Sequence, residues 1–207
     1  MSQSSNIKNL IFDLGGVILN LAPQRTMTAF ARLANKSEQE VTALYHTRTE
    51  FNAYEKGLMT DVEFRMALRQ LFSMNATDSQ LDECWNAMLL DIPLARLQLL
   101  ERLKEKYRLF LLSNTNGIHV VHFSKHIQEI TGHATIEPYF HRAYYSHILK
   151  MRKPDHEIYH HVLQENGLDP GDTLFLDDNL SNLQGAREVG IQTFHVEHPD
   201  LIFTVFP

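Results

Sequence analysis

The sequence predicts an α/β protein: a mainly parallel sheet covered on both sides, with a small helical cap inserted after the first strand. Three observations predict it. Short apolar runs alternate with helical patterns along most of the 207 residues. The stretch between the first two runs carries only helix signals. Polar residues stand immediately after the apolar runs, where a parallel sheet gathers its ligand-binding chemistry.

The runs, in order, are NLIFD (9–13), LFLLS (109–113), RAYYS (142–146, the weakest), TLFLD (173–177) and QTFHV (192–196). The segment 94–107 is helical, with Leu94, Leu97, Leu100, Leu103 and Tyr107 near one face. Helices are expected near 24–34, 38–48, 61–72 and 78–89. Three of them open on a capping box: Ser37 with Glu40, Thr60 with Glu63, and Thr77 with Gln80. The expected division is a core of 1–21 and 93–207 and a cap of 22–92. The polar first half-dozen residues are the one candidate for disorder.

Composition narrows the function. A net charge of −6 with no Lys/Arg-rich run argues against a nucleic-acid backbone as partner and leaves room for a small anionic substrate. No run approaches the ~20 apolar residues that a membrane span needs. The opening MSQSSNIKN lacks the basic and apolar regions of a secretion signal, and Cys84 has no internal partner for a disulfide. A cytoplasmic location is expected, with the sequons at Asn35 and Asn75 inert.

Four segments deliver polar chemistry to one rim. Asp13 ends the first run, Ser113-Asn114 end the second, Asp177-Asp178 end the fourth, and Lys153-Pro154 lie in the connection before it. Each alone reads as a turn or cap residue. Together, three carboxylates at one rim would repel. A hard dication such as Mg²⁺ would relieve that repulsion, since magnesium favours one or two carboxylates plus water and phosphate. Lys153 adds a positive charge for a phosphate oxygen, and Ser113 and Asn114 add neutral donors.

Asp13 in FDLGGV, LLSNT, MRKPDHEIY and FLDDNLSNLQGA resemble, in order and spacing, the four motifs of the haloacid dehalogenase superfamily. The helical insertion resembles that superfamily's small cap on a Rossmann-like core. Within the superfamily the chain is most similar to bacterial phosphatases of the alpha-D-glucose-1-phosphate phosphatase type. The likeness covers about 7–196. It implies a Mg²⁺-dependent phosphatase for a small phosphorylated metabolite, such as a sugar phosphate. Asp13 would be the nucleophile that forms an aspartyl-phosphate, and Ser113 and Asn114 would bind the phosphoryl group. Lys153 would neutralise that group and orient Asp13. Asp13, Asp178 and the Gly15 carbonyl would ligate Mg²⁺, Asp177 would reach it through a water, and Asn182 would support the loop.

One departure matters. Most phosphatases of that superfamily carry a second aspartate where this chain has Gly15. That carboxylate would protonate the leaving oxygen and then activate water, a role typically worth ~10²–10⁴-fold. Its absence predicts a preference for esters that depart easily, unless another group near Asn20 or from the cap replaces it. It also motivates a second reading, a catalytically weak relative that binds a phosphometabolite or a protein partner. A third reading, 2-haloacid dehalogenase, conflicts with the retained Asp177-Asp178 pair.

Other signals read more plainly. HEIYH (156–160) matches the zinc-protease pattern, but His156 and His160 lie at the edge of a stripe formed by Ile158, Tyr159, Val162 and Leu163, and a solvated helix edge is expected. His119, His122 and His126 are expected on an exposed or half-buried helix face. FNAYEKGLMT (51–60) resembles the specificity loop of this cap type, with Tyr54, Glu55 and Lys56 as candidates for touching the leaving group. The alternative there is an ordinary helix-ending glycine with Glu55 and Lys56 in solvent. Arg25 and Arg48 are further inward-facing candidates. The apolar end, DLIFTVFP, reads as a last strand packed on the core or as a subunit contact.

Overall fold

The protein is described by a computed structural model of residues 7–206, and the polar opening half-dozen lies outside the described residues. Five parallel strands form one sheet: β1 (Asn9–Phe12), β2 (Arg108–Ser113), β3 (Arg142–Tyr145), β4 (Thr173–Asp177) and β5 (Gln192–His195). Their order is β3-β2-β1-β4-β5, so the chain reverses direction of travel across the sheet at β1. Crevices at such a switch point, outside the carboxyl ends of the strands, are where ligands bind in open α/β sheets.

The strands read as apolar runs because both faces are covered. Leu10 and Phe12 pack on one side with Leu109 and Leu111, while Ile11 packs on the other with Phe110, Leu112 and Phe175. Phe12 pairs with Leu111 on one side and Leu176 on the other. That register brings the residues after β1, β2 and β4 out at the same edge.

Helices α1 (Pro23–Ala34), α2 (Glu38–Thr47), α3 (Glu50–Glu55), α4 (Asp61–Phe72) and α5 (Asp78–Asn86) lie between β1 and β2. They bury a core of their own around Phe30, Phe51, Phe64, Phe72 and Trp85. All three capping boxes form, each hydroxyl accepting from the N3 amide while the N3 side chain accepts from the N-cap amide. The short α3 escapes the sequence pattern because six residues are too few to show a 3.6-residue period. Entry and exit of this insertion lie side by side. Asn20 N donates to Asp91 O at 2.9 Å, Leu90 N to Asn20 O at 3.0 Å, and Ala22 N to Met88 O at 2.8 Å.

The remaining helices are α6 (Leu94–Lys104), α7 (Gly117–Thr131), α8 (Ser146–Leu149), α9 (His156–Asn166), α10 (Leu180–Glu188) and α11 (Leu201–Val205). The apolar tail is α11, not a strand: Ile202 is buried and Phe206 sits against Phe12 and Tyr107. Ile202, with Phe203 and Phe206 packed beside it, belongs to the same core cluster as Leu99 and Leu103 of α6, so the tail does lie on the core. No helix among the described residues is long and apolar enough to cross a membrane.

Candidate active site

Lys153 is the hub of the rim. Its ammonium lies 2.8 Å from Asp13 Oδ1 and 2.7 Å from Asp177 Oδ2, and the side chain is 1% exposed. A buried lysine keeps its proton only where anions surround it. Here the attraction of Asp13 and Asp177 overcomes the desolvation that would otherwise lower its pKa. The cation also stands over the Phe175 ring.

Asp177 is held from three directions. Beyond Lys153, it accepts from Asn179 N at 2.7 Å and from Asn182 Nδ2 at 3.1 Å on both oxygens. Tyr159 in turn donates to the Asn182 carbonyl. The support role expected of Asn182 thus has a visible geometry.

Asp13, Asp177 and Asp178 each offer an oxygen, and the three lie within 4.8 Å of one another. Burial, with the charges of Asp177 and Asp178, pushes Asp13 up to about 7 even though Lys153 pulls it down. Burial and Asp177 raise Asp178 as well. One ammonium does not neutralise three carboxylates. The Gly15 carbonyl accepts no protein hydrogen bond among the described residues. An all-oxygen donor set with surplus negative charge fits Mg²⁺. Gly16 sits at φ +71°, and a side chain there would run into the Asp178 carboxylate, so the loop can bring Asp178 close only with glycine at this position.

The two residues expected to bind phosphoryl oxygens behave differently. The Ser113 hydroxyl makes no protein hydrogen bond among the described residues and borders a cavity. Asn114 is committed elsewhere: its Nδ2 donates to Lys153 O at 2.9 Å and its Oδ1 accepts from Lys153 N at 3.0 Å. Its side chain holds the lysine segment in place.

That cavity, about 230 Å³, runs between the sheet edge and the inserted helices. Leu14, Leu19, Leu21, Met27, Met88 and Phe123 give it an apolar lining, and its ionisable groups are Tyr45, Glu55 and His119. Of the three cap candidates, only Glu55 faces it. Tyr54 stacks on Phe64 and donates to Asp61 Oδ1 at 2.7 Å, while Lys56 pairs with Asp155 at 2.6 Å. Arg25 and Arg48 are exposed and do not line it. Glu55 is bound by Arg152, Nη2 to Oε2 at 3.0 Å. Asn20 is tied by its amide to Asp91 and Arg96.

His119 departs from its expected exposure. It is 6% exposed, stacked on the Trp85 indole, with Nδ1 facing Asn116 Nδ2 and Nε2 facing Trp85 O, each at 3.2 Å. Helical spacing placed it on one face with His122 and His126, but it is the insertion, remote in sequence, that covers this residue. His156 pairs with Glu188 on α10 at 2.6 Å and His160 is exposed, which places both on a solvated helix edge. Arg152 and Leu21 are contributors not singled out from the sequence, although Arg152 lies inside the MRKPDHEIY motif. Arg152 directly precedes Lys153 in sequence, which is the one local signal that could have found it.

Comparison with known proteins now decides the family. Residues 7–190 match the family of haloacid dehalogenase-like hydrolases. The chain is a haloacid dehalogenase-like hydrolase. Over 192 residues this hydrolase is 29% identical to the D-ribitol-5-phosphate phosphatase of Bacteroides thetaiotaomicron, covering 93% of each chain. A HAD family enzyme from the same organism, solved with magnesium and inorganic phosphate, superposes with a TM-score of 0.84 at 39% identity, covering 91% of this chain and 93% of the other. A predicted HAD-like hydrolase from Porphyromonas gingivalis gives a TM-score of 0.85 at 25% identity, over 98% of this chain and 99% of that one.

Proposed function

We propose that this hydrolase is a phosphatase for a small phosphorylated metabolite, acting through an aspartyl-phosphate on Asp13. The observation that carries the reading is the Lys153 ammonium, bridging Asp13 and Asp177 beside a third carboxylate at the switch point of the sheet. In this reading Asp13 attacks phosphorus, Lys153 and the Ser113 hydroxyl hold the phosphoryl oxygens, and Asn114 positions Lys153 through its backbone. Mg²⁺, held by Asp13, Asp178 and the Gly15 carbonyl, with Asp177 beside them, would supply charge neutralisation for the transferring group.

A sugar or sugar-alcohol phosphate is the favoured substrate, supported by the ribitol-phosphate relative. The finer likeness to glucose-1-phosphate phosphatases is carried by FDLGGV and its companion motifs. A role in dehalogenation is disfavoured by the retained Asp177-Asp178 pair. The binding-only reading draws on Gly15, where a Cβ would lie 2.6 Å from Leu21 Cδ1, so an apolar side chain occupies the space beside the missing carboxylate. A cytoplasmic setting is proposed from the single half-buried Cys84, which needs no oxidising compartment.

The test is phosphate release from p-nitrophenyl phosphate, glucose 1-phosphate, glucose 6-phosphate and ribitol 5-phosphate, with and without Mg²⁺, beside Asp13→Asn. Metal-dependent turnover that vanishes in the variant is expected. A single phosphoryl transfer per site without turnover would support the binding role instead.

A further inference from the structure

Gly15 leaves the phosphatase without the usual acid at the leaving oxygen, and the end of the Leu21 side chain occupies the space beside it. For an ester that does not depart easily, the proton has to come from another group lining the cavity. Three ionisable side chains line it: Tyr45, Glu55 and His119. His119 has no proton to give. Its Nδ1 accepts from Asn116 and its one N–H points at Trp85 O, and burial pulls its pKa down to about 4. Tyr45 holds its proton too firmly, pushed up to about 12 by burial and by the nearby charge of Glu55.

We propose that Glu55, at the end of α3, is the proton donor to the departing oxygen and then the proton acceptor for the attacking water. The inference rests on the phosphatase reading above. As Asp13 forms its bond to phosphorus, the bond from phosphorus to the ester oxygen breaks, and that oxygen takes the Glu55 proton to leave as an alcohol. Water then attacks the aspartyl-phosphate and gives its proton to Glu55. The bond from phosphorus to Asp13 breaks, phosphate leaves, and Glu55 is again protonated. Ester and water become alcohol and phosphate, with no other reactant.

The geometry suits the task. Glu55 shares its cavity with Gly15, the neighbour but one of Asp13, and with Ser113, whose hydroxyl is free to meet a phosphoryl oxygen. Its side chain is 19% exposed, and only Oε2 is engaged, by a single Arg152 contact. Arg152 Nε is buried without a partner, so the pair is not a closed two-bonded bridge. The cationic groups that face Glu55 are Arg152 and Lys153, and both lower its pKa; burial outweighs them and raises it from the ordinary carboxyl range. That direction brings a carboxyl towards the working pH, which general acids require. The Glu55 carbonyl also accepts from Ser146 Oγ at 2.7 Å, and Ser146 Oγ in turn accepts from Thr115 N, tying the end of α3 to the segment after β2.

The experiment compares Glu55→Gln with the wild type, in Mg²⁺, on p-nitrophenyl phosphate and on ribitol 5-phosphate. The nitrophenolate leaves without a proton and the ribitol alkoxide does not. We expect kcat/KM for the alkyl ester to fall about 10²–10⁴-fold and that for the aryl ester less than about tenfold. Rapid mixing should show a burst of one nitrophenol per site, because the phosphoenzyme now waits for its base. Glu55→Asp, which keeps the acid on a shorter arm, should recover part of the alkyl activity, and it serves also if the amide variant does not fold. Equal losses on both esters, as expected if Glu55 only braces Arg152, would overturn the assignment. A wild type that turned over neither ester would sink the phosphatase reading itself.

Discussion

Asn114 grips Lys153 by its main chain, accepting from the amide and donating to the carbonyl of the same residue. A side chain that ties down both backbone groups of another residue fixes that residue's origin, and so the reach of its ammonium. Asn114→Ala should leave Lys153 present but displaced. Misplacement by about 1 Å is enough to cost ~10²-fold in rate. Steady-state kinetics should show the loss mainly in kcat, and a crystal structure of the variant should show Lys153 Nζ away from Asp13.

Metal binding should depend on pH in a defined direction. Asp13 is raised from 3.8 to about 7, so in the metal-free protein the folded state holds its proton more tightly than the unfolded chain. Its contribution is therefore favourable below the unfolded pKa and is lost as pH rises through the folded one. A bound dication reverses this by pairing with the ionised form. Thermal melts should show a larger stabilisation by Mg²⁺ at pH 8 than at pH 5. At a concentration of 100 Kd the gain is about 2.7 kcal/mol.

His119 gives the opposite sign. It is buried neutral, with its pKa lowered from 6.5 to about 4. That stability is fully present above the unfolded pKa and lost as pH falls towards the folded one. The shift corresponds to roughly 2 kcal/mol lost by pH 5. Urea titrations of wild type and His119→Phe at pH 7.5 and pH 5 should show the gap between them narrowing at the lower pH. The comparison removes the trend from Asp13, which both proteins share.

Gly16→Ala should weaken both Mg²⁺ binding and the fold. The φ of +71° and the collision with Asp178 both resist a Cβ, at a strain of about 1–3 kcal/mol. Isothermal titration with Mg²⁺ should report a raised Kd, and the melting temperature in chelator should fall as well, because the left-handed φ strains an alanine whether or not an ion is bound.

What the sequence showed of this site follows from how local each signal is. Asp13, Ser113, Asp177 and Asp178 stand directly after apolar strands, and Lys153 is marked by the proline beside it, so chain order alone brings them to one rim. The capping boxes were equally legible, since each lies within four residues. Burial of His119 was not, because the Trp85 that covers it comes from α5, 34 positions away. Nor was the commitment of Asn114 to Lys153, a pairing across 39 positions. The tail was legible only as apolar, which left a core-packed strand and a subunit contact both open; its short helix brings Phe206 against Phe12 and Tyr107, far away in the chain.

The paired backbone at Asn20 and Leu90 has a consequence for the history of such chains. The residues between Asn20 and Leu90 leave the core and return within one hydrogen-bonded step of where they left. An insertion whose ends already touch can be lengthened, exchanged or replaced by a short turn without moving a single strand. Floor and roof are thus free to diverge at different rates: inherited chemistry below, and above it a replaceable part through which selection changes what is admitted.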